Sequence, residues 1–251
     1  MVRILTILNV DDAPPGLVGD HLAARGAECV RINPHTGDKL PETPDSFDGI
    51  LILGGPQSVA DPAFDPVFEP LARLVRAFHE EEKPVLGLCL GSQLLARAFG
   101  QKVRHHNQLQ FGFKQIDLTD AAASDPVLSG LDHPQTAFVH HYDTYSLPED
   151  AVLLMTEADT PCHAFRVGHT TYAFQSHPEA TADIIRGWVA RTQDGVRRHL
   201  GKRGEELLAG LDDACAEELP KAAGFAETIA LRWLDLVEGR AASGNAAKPN
   251  Q

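Results

Sequence analysis

Short apolar runs alternate with amphipathic segments along the first 100 residues of the chain. Four runs are rich in Val, Ile and Leu: residues 2–9, 29–32, 47–53 and 85–88. Between them, residues 17–25 and 66–82 place apolar side chains at helical spacing. Apolar strands that alternate with helices indicate a parallel sheet covered on both faces. The pattern therefore predicts an α/β fold with an open, mostly parallel sheet flanked by helices.

The pattern changes after residue 100, where apolar and polar residues begin to alternate with a period of two. This alternation marks three runs: residues 103–118, 136–141 and 151–155. Period-two alternation is typical of antiparallel strands with one solvated face. One more apolar run, residues 172–175, follows. We therefore expect a more antiparallel region in the second half of the sheet.

The C-terminal part of the chain has two amphipathic helical faces. The first face comprises Leu207, Leu208, Leu211, Cys215 and Leu219, and the second comprises Phe225, Ile229, Trp233 and Val237. Such faces must be buried, so we expect these helices to pack on the main domain or on a second subunit. The predicted division is a main domain over residues 1–190, a helical extension over 191–240 and a disordered tail over 241–251.

Charge and cysteine content narrow the function classes. The formal net charge of −13 argues against a nucleic-acid partner, because such binding is driven by phosphate neutralisation. The four cysteines have no zinc or disulfide spacing, which favours a reduced cytoplasm. Neither a signal peptide nor a membrane span is predicted. The pairs His105-His106 and His140-His141 are interpreted as solvated loop residues, and no metal site is predicted.

Residues 84–93 change from an apolar strand to helical spacing at Cys89. Gly87 and Gly91 flank this cysteine, as glycines flank the nucleophile of a G-x-S-x-G turn, where a Cβ would collide with the neighbouring backbone. A thiol at a helix N-terminus faces unpaired N–H groups and the positive end of the helix dipole, which favour the thiolate. Cys89 is therefore a candidate nucleophile, and the N–H of Leu90 a candidate oxyanion donor. The alternative is a buried structural thiol.

Two further signals follow predicted strands. Gly54-Gly55-Pro56-Gln57 ends the third strand, on the rim where ligands bind in parallel sheets, although such a sequence is also an ordinary turn. His177-Pro178-Glu179 follows the run at 172–175. Side chains two apart on an extended segment point the same way, so Glu179 can orient His177. An oriented histidine is the general base that a cysteine nucleophile needs.

These three signals, in this order on an α/β chain, resemble the class I (triad) glutamine amidotransferase family, particularly its small members similar to the amidotransferase part of GMP synthase. The resemblance covers roughly residues 2–189 and implies a flavodoxin-like fold and a γ-glutamyl thioester, with no cofactor. It implies these roles: nucleophile Cys89, acid/base His177 and orienting Glu179; oxyanion hole Gly55, Gln57 and Leu90; substrate binding by Gln93, Tyr142 and Asp143.

Several functions stay open at this stage. The chain is expected to be a free-standing hydrolase of glutamine or a γ-glutamyl amide. Ser92, where many relatives have a bulkier His or Met, favours a larger substrate. The alternatives are an ammonia-donating glutaminase subunit of a separate synthetase, a non-catalytic binding protein on the same fold, and an α/β-hydrolase with a cysteine elbow. A homodimer is also open.

Overall fold

The computed structural model describes residues 1–246 as nine strands and six α-helices. The strands are β1 Arg3–Ile7, β2 Glu28–Ile32, β3 Gly49–Ile52, β4 Val85–Leu88, β5 Arg104–Leu118, β6 Gln135–Thr144, β7 Ala151–Thr156, β8 Ala164–Val167 and β9 Thr171–Phe174. The helices are α1 Gly16–Ala24, α2 Asp65–Glu80, α3 Leu90–Ala98, α4 Ala182–Leu200, α5 Lys202–Ala209 and α6 Leu211–Ala246.

All nine strands of the described chain form one sheet in the order β2-β1-β3-β4-β9-β8-β7-β5-β6. Strands β2, β1, β3, β4 and β9 pair in parallel, and the pairings from β9 through β8, β7 and β5 to β6 are antiparallel. The predicted α/β class and the change of pattern after residue 100 are both confirmed. Strand β8 was missed because its four residues are too few to show an alternation.

Helices cover both faces of the parallel half of the sheet. Successive residues of β1 show this, because Ile4 packs in the core under α1 and α6 whereas Leu5 packs in the core under α2 and α3. Both side chains have no exposed surface. A strand buried on both faces must be apolar at every position, which is why these strands appear in the sequence as continuous apolar runs.

The C-terminal helices are part of this core. Phe225, Ile229 and Trp233 of α6 are fully buried against the sheet and α1. The other predicted apolar face packs around α4, where Cys215 is 2% exposed. Both faces are thus covered within the chain itself.

Two of the predicted boundaries need correction. Position 190, where the main domain was predicted to end, lies inside α4. Helix α6 continues to Ala246, so residues 241–246 are helical where a disordered tail was predicted. Hydrophobic burial extends along α6 as far as Val237, and a helix continues from such an anchor more easily than it starts, which explains the difference. Residues 247–251 of the predicted tail lie outside the described residues.

No helix within residues 1–246 is long and apolar enough to cross a membrane.

Candidate active site

Cys89 lies at the corner between β4 and α3 in a strained backbone conformation. Its φ of 51° and ψ of −105° fall in a region that non-glycine residues rarely adopt. The amide of Cys89 donates to the Phe174 carbonyl of β9 at 2.8 Å, which helps to hold the corner in place. A strained conformation of this kind costs on the order of 1–3 kcal/mol and persists only where the surroundings enforce it.

The two flanking glycines are required by close packing, as the sequence predicts. A Cβ on Gly91 would lie 2.2 Å from the carbonyl oxygen of Ile52 on β3. A Cβ on Gly87 would lie 2.7 Å from the backbone of Gly91 itself. Both distances are far below any real contact of a Cβ atom, so the sharp turn that presents the thiol depends on glycine at both positions.

His177 and Glu179 follow β9 and form a hydrogen-bonded pair. Nδ1 of His177 lies 2.7 Å from Oε1 of Glu179, and both side chains are buried. The backbone holds them from two sides, because the His177 amide donates to Phe138 on β6 and the Glu179 carbonyl accepts from Leu17 at the start of α1. The pairing predicted from the two-residue spacing is therefore present in the fold.

Nearby charges decide the protonation of His177. Burial lowers the pKa of this imidazole, but the negative charges of Cys89 and Glu179 beside it outweigh burial and raise the pKa well above its ordinary value. Nδ1 is bonded to Glu179, whereas Nε2 makes no hydrogen bond within the described part of the chain. His177 is thus a charged imidazolium between a thiol and a carboxylate at neutral pH.

The loop after β3 closes one side of the same site. A Cβ on Gly54 would lie 3.0 Å from Cε1 of His177 and 3.5 Å from Cβ of Cys89. Farther along the loop, the side-chain amide of Gln57 donates to the Asn9 carbonyl at 2.8 Å. Gly55, Gln57 and Leu90 all line one cavity of about 380 Å³ together with Cys89 and His177. The structure therefore brings the predicted loop and elbow residues together.

Gln93, Tyr142 and Asp143 line the opposite wall of this cavity. The Gln93 amide makes long, 3.4 Å hydrogen bonds to the Asp143 carbonyl and to Oε1 of Gln175. The Asp143 carboxylate accepts from Ser58 Oγ at 2.5 Å and lies 2.6 Å from Nδ1 of His105. These three predicted residues are therefore close together, and protein groups already hold the Asp143 carboxylate in place.

The structure corrects the interpretation of the His140-His141 pair as solvated loop residues. Both lie on β6 and line the cavity. Burial, with a contribution from the charge of His177, lowers the pKa of His140 to about 4. His141 is 5% exposed, and its Nδ1 lies 3.0 Å from the Asp143 carbonyl. Their place directly before Tyr142-Asp143 in a period-two run is the signal that could have identified them.

Ser92 does not enlarge the cavity, contrary to the expectation from its small size. Its side chain has no exposed surface and lies beneath the elbow, away from the cavity lining. Ser92 Oγ donates to the Cys89 carbonyl at 2.6 Å and accepts from the Tyr145 hydroxyl at 3.0 Å. The space beside this serine is occupied by Tyr145, so Ser92 is no evidence for a larger substrate.

Helix α4 provides a wall that the sequence did not reveal. Trp188, Arg191 and Thr192 line the cavity, and the Trp188 ring lies 4.5 Å from the His177 ring, measured between centroids. The three positions share one helical face, since residues three and four apart are neighbours on a helix. That spacing was visible in the sequence, but nothing in it showed that the face turns toward Cys89.

Comparison with known proteins places this site in a family context. A sequence model described as glutamine amidotransferase class-I matches residues 17–185. The chain is 30% identical over 172 residues to a glutamine amidotransferase-like protein, YfeJ, of Salmonella typhimurium, which covers 67% of this chain and 72% of that protein. It is 28% identical over 203 residues to the glutamine-hydrolysing subunit of GMP synthase from Methanosarcina barkeri, covering 78% and 88%. It spans only 33% of the GMP synthase of Porphyromonas gingivalis, at 31% identity over 181 residues.

The fold itself extends beyond the matched region. A crystal structure of a glutamine amidotransferase from Thermotoga maritima superposes with a TM-score of 0.80 at 22% identity, over 93% of this chain and 98% of that chain. At this identity the comparison shows a common fold. Because so little of the chain is left out, the common fold includes most of the C-terminal helices that the sequence suggested were an extension.

Proposed function

The chain belongs to the glutamine amidotransferase class-I family, and we propose that it hydrolyses the side-chain amide of glutamine or of a γ-glutamyl amide through a thioester on Cys89. One observation carries this proposal. A strained, glycine-flanked cysteine shares a cavity with a buried His177–Glu179 pair that is hydrogen-bonded at 2.7 Å.

The first half of the reaction uses the charged pair. The Cys89 thiolate attacks the γ-carbonyl carbon of the substrate, and a C–S bond forms while the carbonyl electrons move onto oxygen. The N–H groups of Gly55 and Leu90, with Gln57 beside them, stabilise this oxyanion. His177 then gives its proton to the leaving nitrogen, the C–N bond breaks, and an amine or ammonia departs.

The second half regenerates the thiol group. Neutral His177 takes a proton from water as the water oxygen attacks the thioester carbon, and the C–S bond breaks to release glutamate and the Cys89 thiolate. Glu179 accepts the Nδ1–H bond throughout, which fixes the ring orientation and stabilises the imidazolium. The helix N-terminus at Leu90 faces the returning thiolate.

The glutamate portion of the substrate would lie against Gln93, Tyr142 and Asp143. The Asp143 carboxylate, held by Ser58 and His105, offers a negative charge to the substrate α-ammonium group. Such a prepositioned carboxylate needs no reorganisation when the substrate binds, which favours affinity.

Glutamate release by the purified protein alone tests the proposal. Glutamine and a panel of γ-glutamyl amides are the substrates, and Cys89→Ala is compared with Cys29→Ala, which changes a half-buried cysteine on β2 outside the cavity. We expect turnover that Cys89→Ala abolishes and Cys29→Ala retains. Equal activity of the two variants would refute the assignment of the nucleophile.

A second candidate is an ammonia-donating component of a separate synthetase. The similarity to a protein named as the glutamine-hydrolysing subunit of GMP synthase favours this role. It predicts weak glutamine hydrolysis by the isolated chain and strong stimulation when a synthetase from the same source is added. Full turnover of γ-glutamyl amides without any partner would instead support the free-standing hydrolase. The homodimer and the cytoplasmic location stay predictions, the first of which light scattering can test.

A further inference from the structure

We infer that Arg191 forms a subsite for a carboxylate on the leaving amine, so that the preferred substrates are γ-glutamyl amino acids or peptides. This inference rests on the proposed function and adds to it the class of leaving group. It starts from the α4 wall, defined by Trp188, Arg191 and Thr192, which lies outside the glutamate-binding side of the cavity.

The position of His177 shows which side of the cavity holds the leaving group. A general acid must lie next to the nitrogen that it protonates. Trp188 packs on the His177 ring at 4.5 Å, so α4 is the element beside the acid. Gln93, Tyr142 and Asp143 belong to α3 and β6. A substituent on the leaving nitrogen would therefore extend toward the face of α4 that carries Arg191.

Charge determines what that substituent should be. Arg191 is the one Lys or Arg among the described residues that line the cavity. Its guanidinium forms an ion pair with Asp12, which lies in the loop after β1, and both side chains are about half exposed. A guanidinium has five N–H donors in a planar fork, so one carboxylate does not exhaust it. A carboxylate on the leaving amine could share or replace the contact with Asp12.

A pair of isosteric substrates tests this inference. γ-Glutamylglycine has an acidic leaving amine, whereas γ-glutamylglycinamide has a neutral one of nearly the same shape. We expect the wild-type kcat/KM to favour γ-glutamylglycine about fivefold, since a partly exposed ion pair contributes about 1 kcal/mol. Arg191→Gln should remove the preference, and Asp12→Asn should increase it, because it frees the guanidinium. Arg197→Gln, which removes an equal charge on α4 outside the cavity, is the control.

The outcomes separate the inference from the function on which it depends. If Arg191→Gln lowered kcat/KM equally for both compounds and for glutamine, Arg191 would bind the glutamate portion and the inference would be wrong. An unchanged ratio in Arg191→Gln with normal turnover would also overturn it. No turnover of any γ-glutamyl compound, with or without a synthetase, would refute the proposed function as well. Dissociation constants of the two compounds on the Cys89→Ala background should show the same fivefold ratio.

Discussion

Gly16→Ala should impair catalysis from a position that touches no substrate. A Cβ on Gly16 would lie 2.0 Å from the carbonyl oxygen of Glu179 and 2.8 Å from Cδ1 of Ile184. Real Cβ contacts begin near 3.0 Å, so α1 and the segment carrying Glu179 must separate by about 1 Å. The Glu179 carbonyl accepts from Leu17 at this very point, so the strain acts directly on the segment that holds the acid.

The expected magnitude combines two terms. Gly16 has a φ of +46°, and a left-handed conformation costs an alanine about 1–2 kcal/mol. Overpacking costs a further 1–3 kcal/mol or so. For a chain of this size each kcal/mol lowers Tm by about 2–4 °C. A displacement of about 1 Å at a catalytic group can lower kcat by as much as roughly 100-fold. We therefore expect a Tm lower by about 5–15 °C and a kcat lower by about 10- to 100-fold.

Gly26→Ala is the matched control. Gly26 also has a positive φ, of +83°, but a Cβ there would have no atom within 4 Å. It therefore experiences the conformational cost without the collision, and we expect it to lose stability while keeping kcat. Steady-state glutamate release and thermal unfolding of both variants provide the comparison. If Gly16→Ala retained the kcat of Gly26→Ala, the proposed link between α1 and Glu179 would be refuted.

Three other predictions concern the acid/base pair and the core. His177→Ala should abolish glutamate release, whereas Glu179→Gln should leave measurable activity, because an unoriented imidazole keeps part of its basicity; equal losses would contradict the assigned roles. Burial lowers the pKa of His163 to about 3, so the folded state keeps it neutral while the unfolded chain takes up a proton below pH 6.5. Stability should therefore fall as the pH falls, by about 2 kcal/mol from this group at pH 5, and urea unfolding should show that His163→Leu removes this loss while exposed His169→Leu does not. Trp233→Ala should cost about 3–5 kcal/mol and Trp233→Phe less than about 1.5 kcal/mol in chemical denaturation, because the ring is fully buried; a marginal loss in Trp233→Ala would show that α6 is only loosely attached.

The elbow was predictable from the sequence because its constraints are local. Strand pattern, helical spacing and flanking glycines all converge on Cys89 within ten residues, and the collisions expected at Gly87 and Gly91 are present. The pairing of His177 with Glu179 is also local, since two residues of extended backbone bring the side chains together. Such features depend on backbone geometry more than on tertiary arrangement.

Other features depend on how distant elements pack, and the sequence could not reveal them. The amphipathic pattern of α6 predicted burial, but many surfaces could satisfy it, and only the fold shows that Trp233 reaches the central sheet. Likewise, helical spacing identified no partner for the face of α4 that carries Trp188 and Arg191. The short β8 between two turns carries too few residues for any pattern to appear.

Acid-quenched mass spectrometry during turnover tests the thioester directly. The isolated protein is mixed with glutamine or γ-glutamylglycine, quenched within the first turnovers, digested and mapped. We predict that one γ-glutamyl group appears on the peptide containing Cys89, that it is absent from Cys89→Ala, and that it disappears when the substrate is exhausted. Continued substrate hydrolysis with no adduct on Cys89, or with an adduct on Cys29, Cys162 or Cys215 instead, would contradict the account.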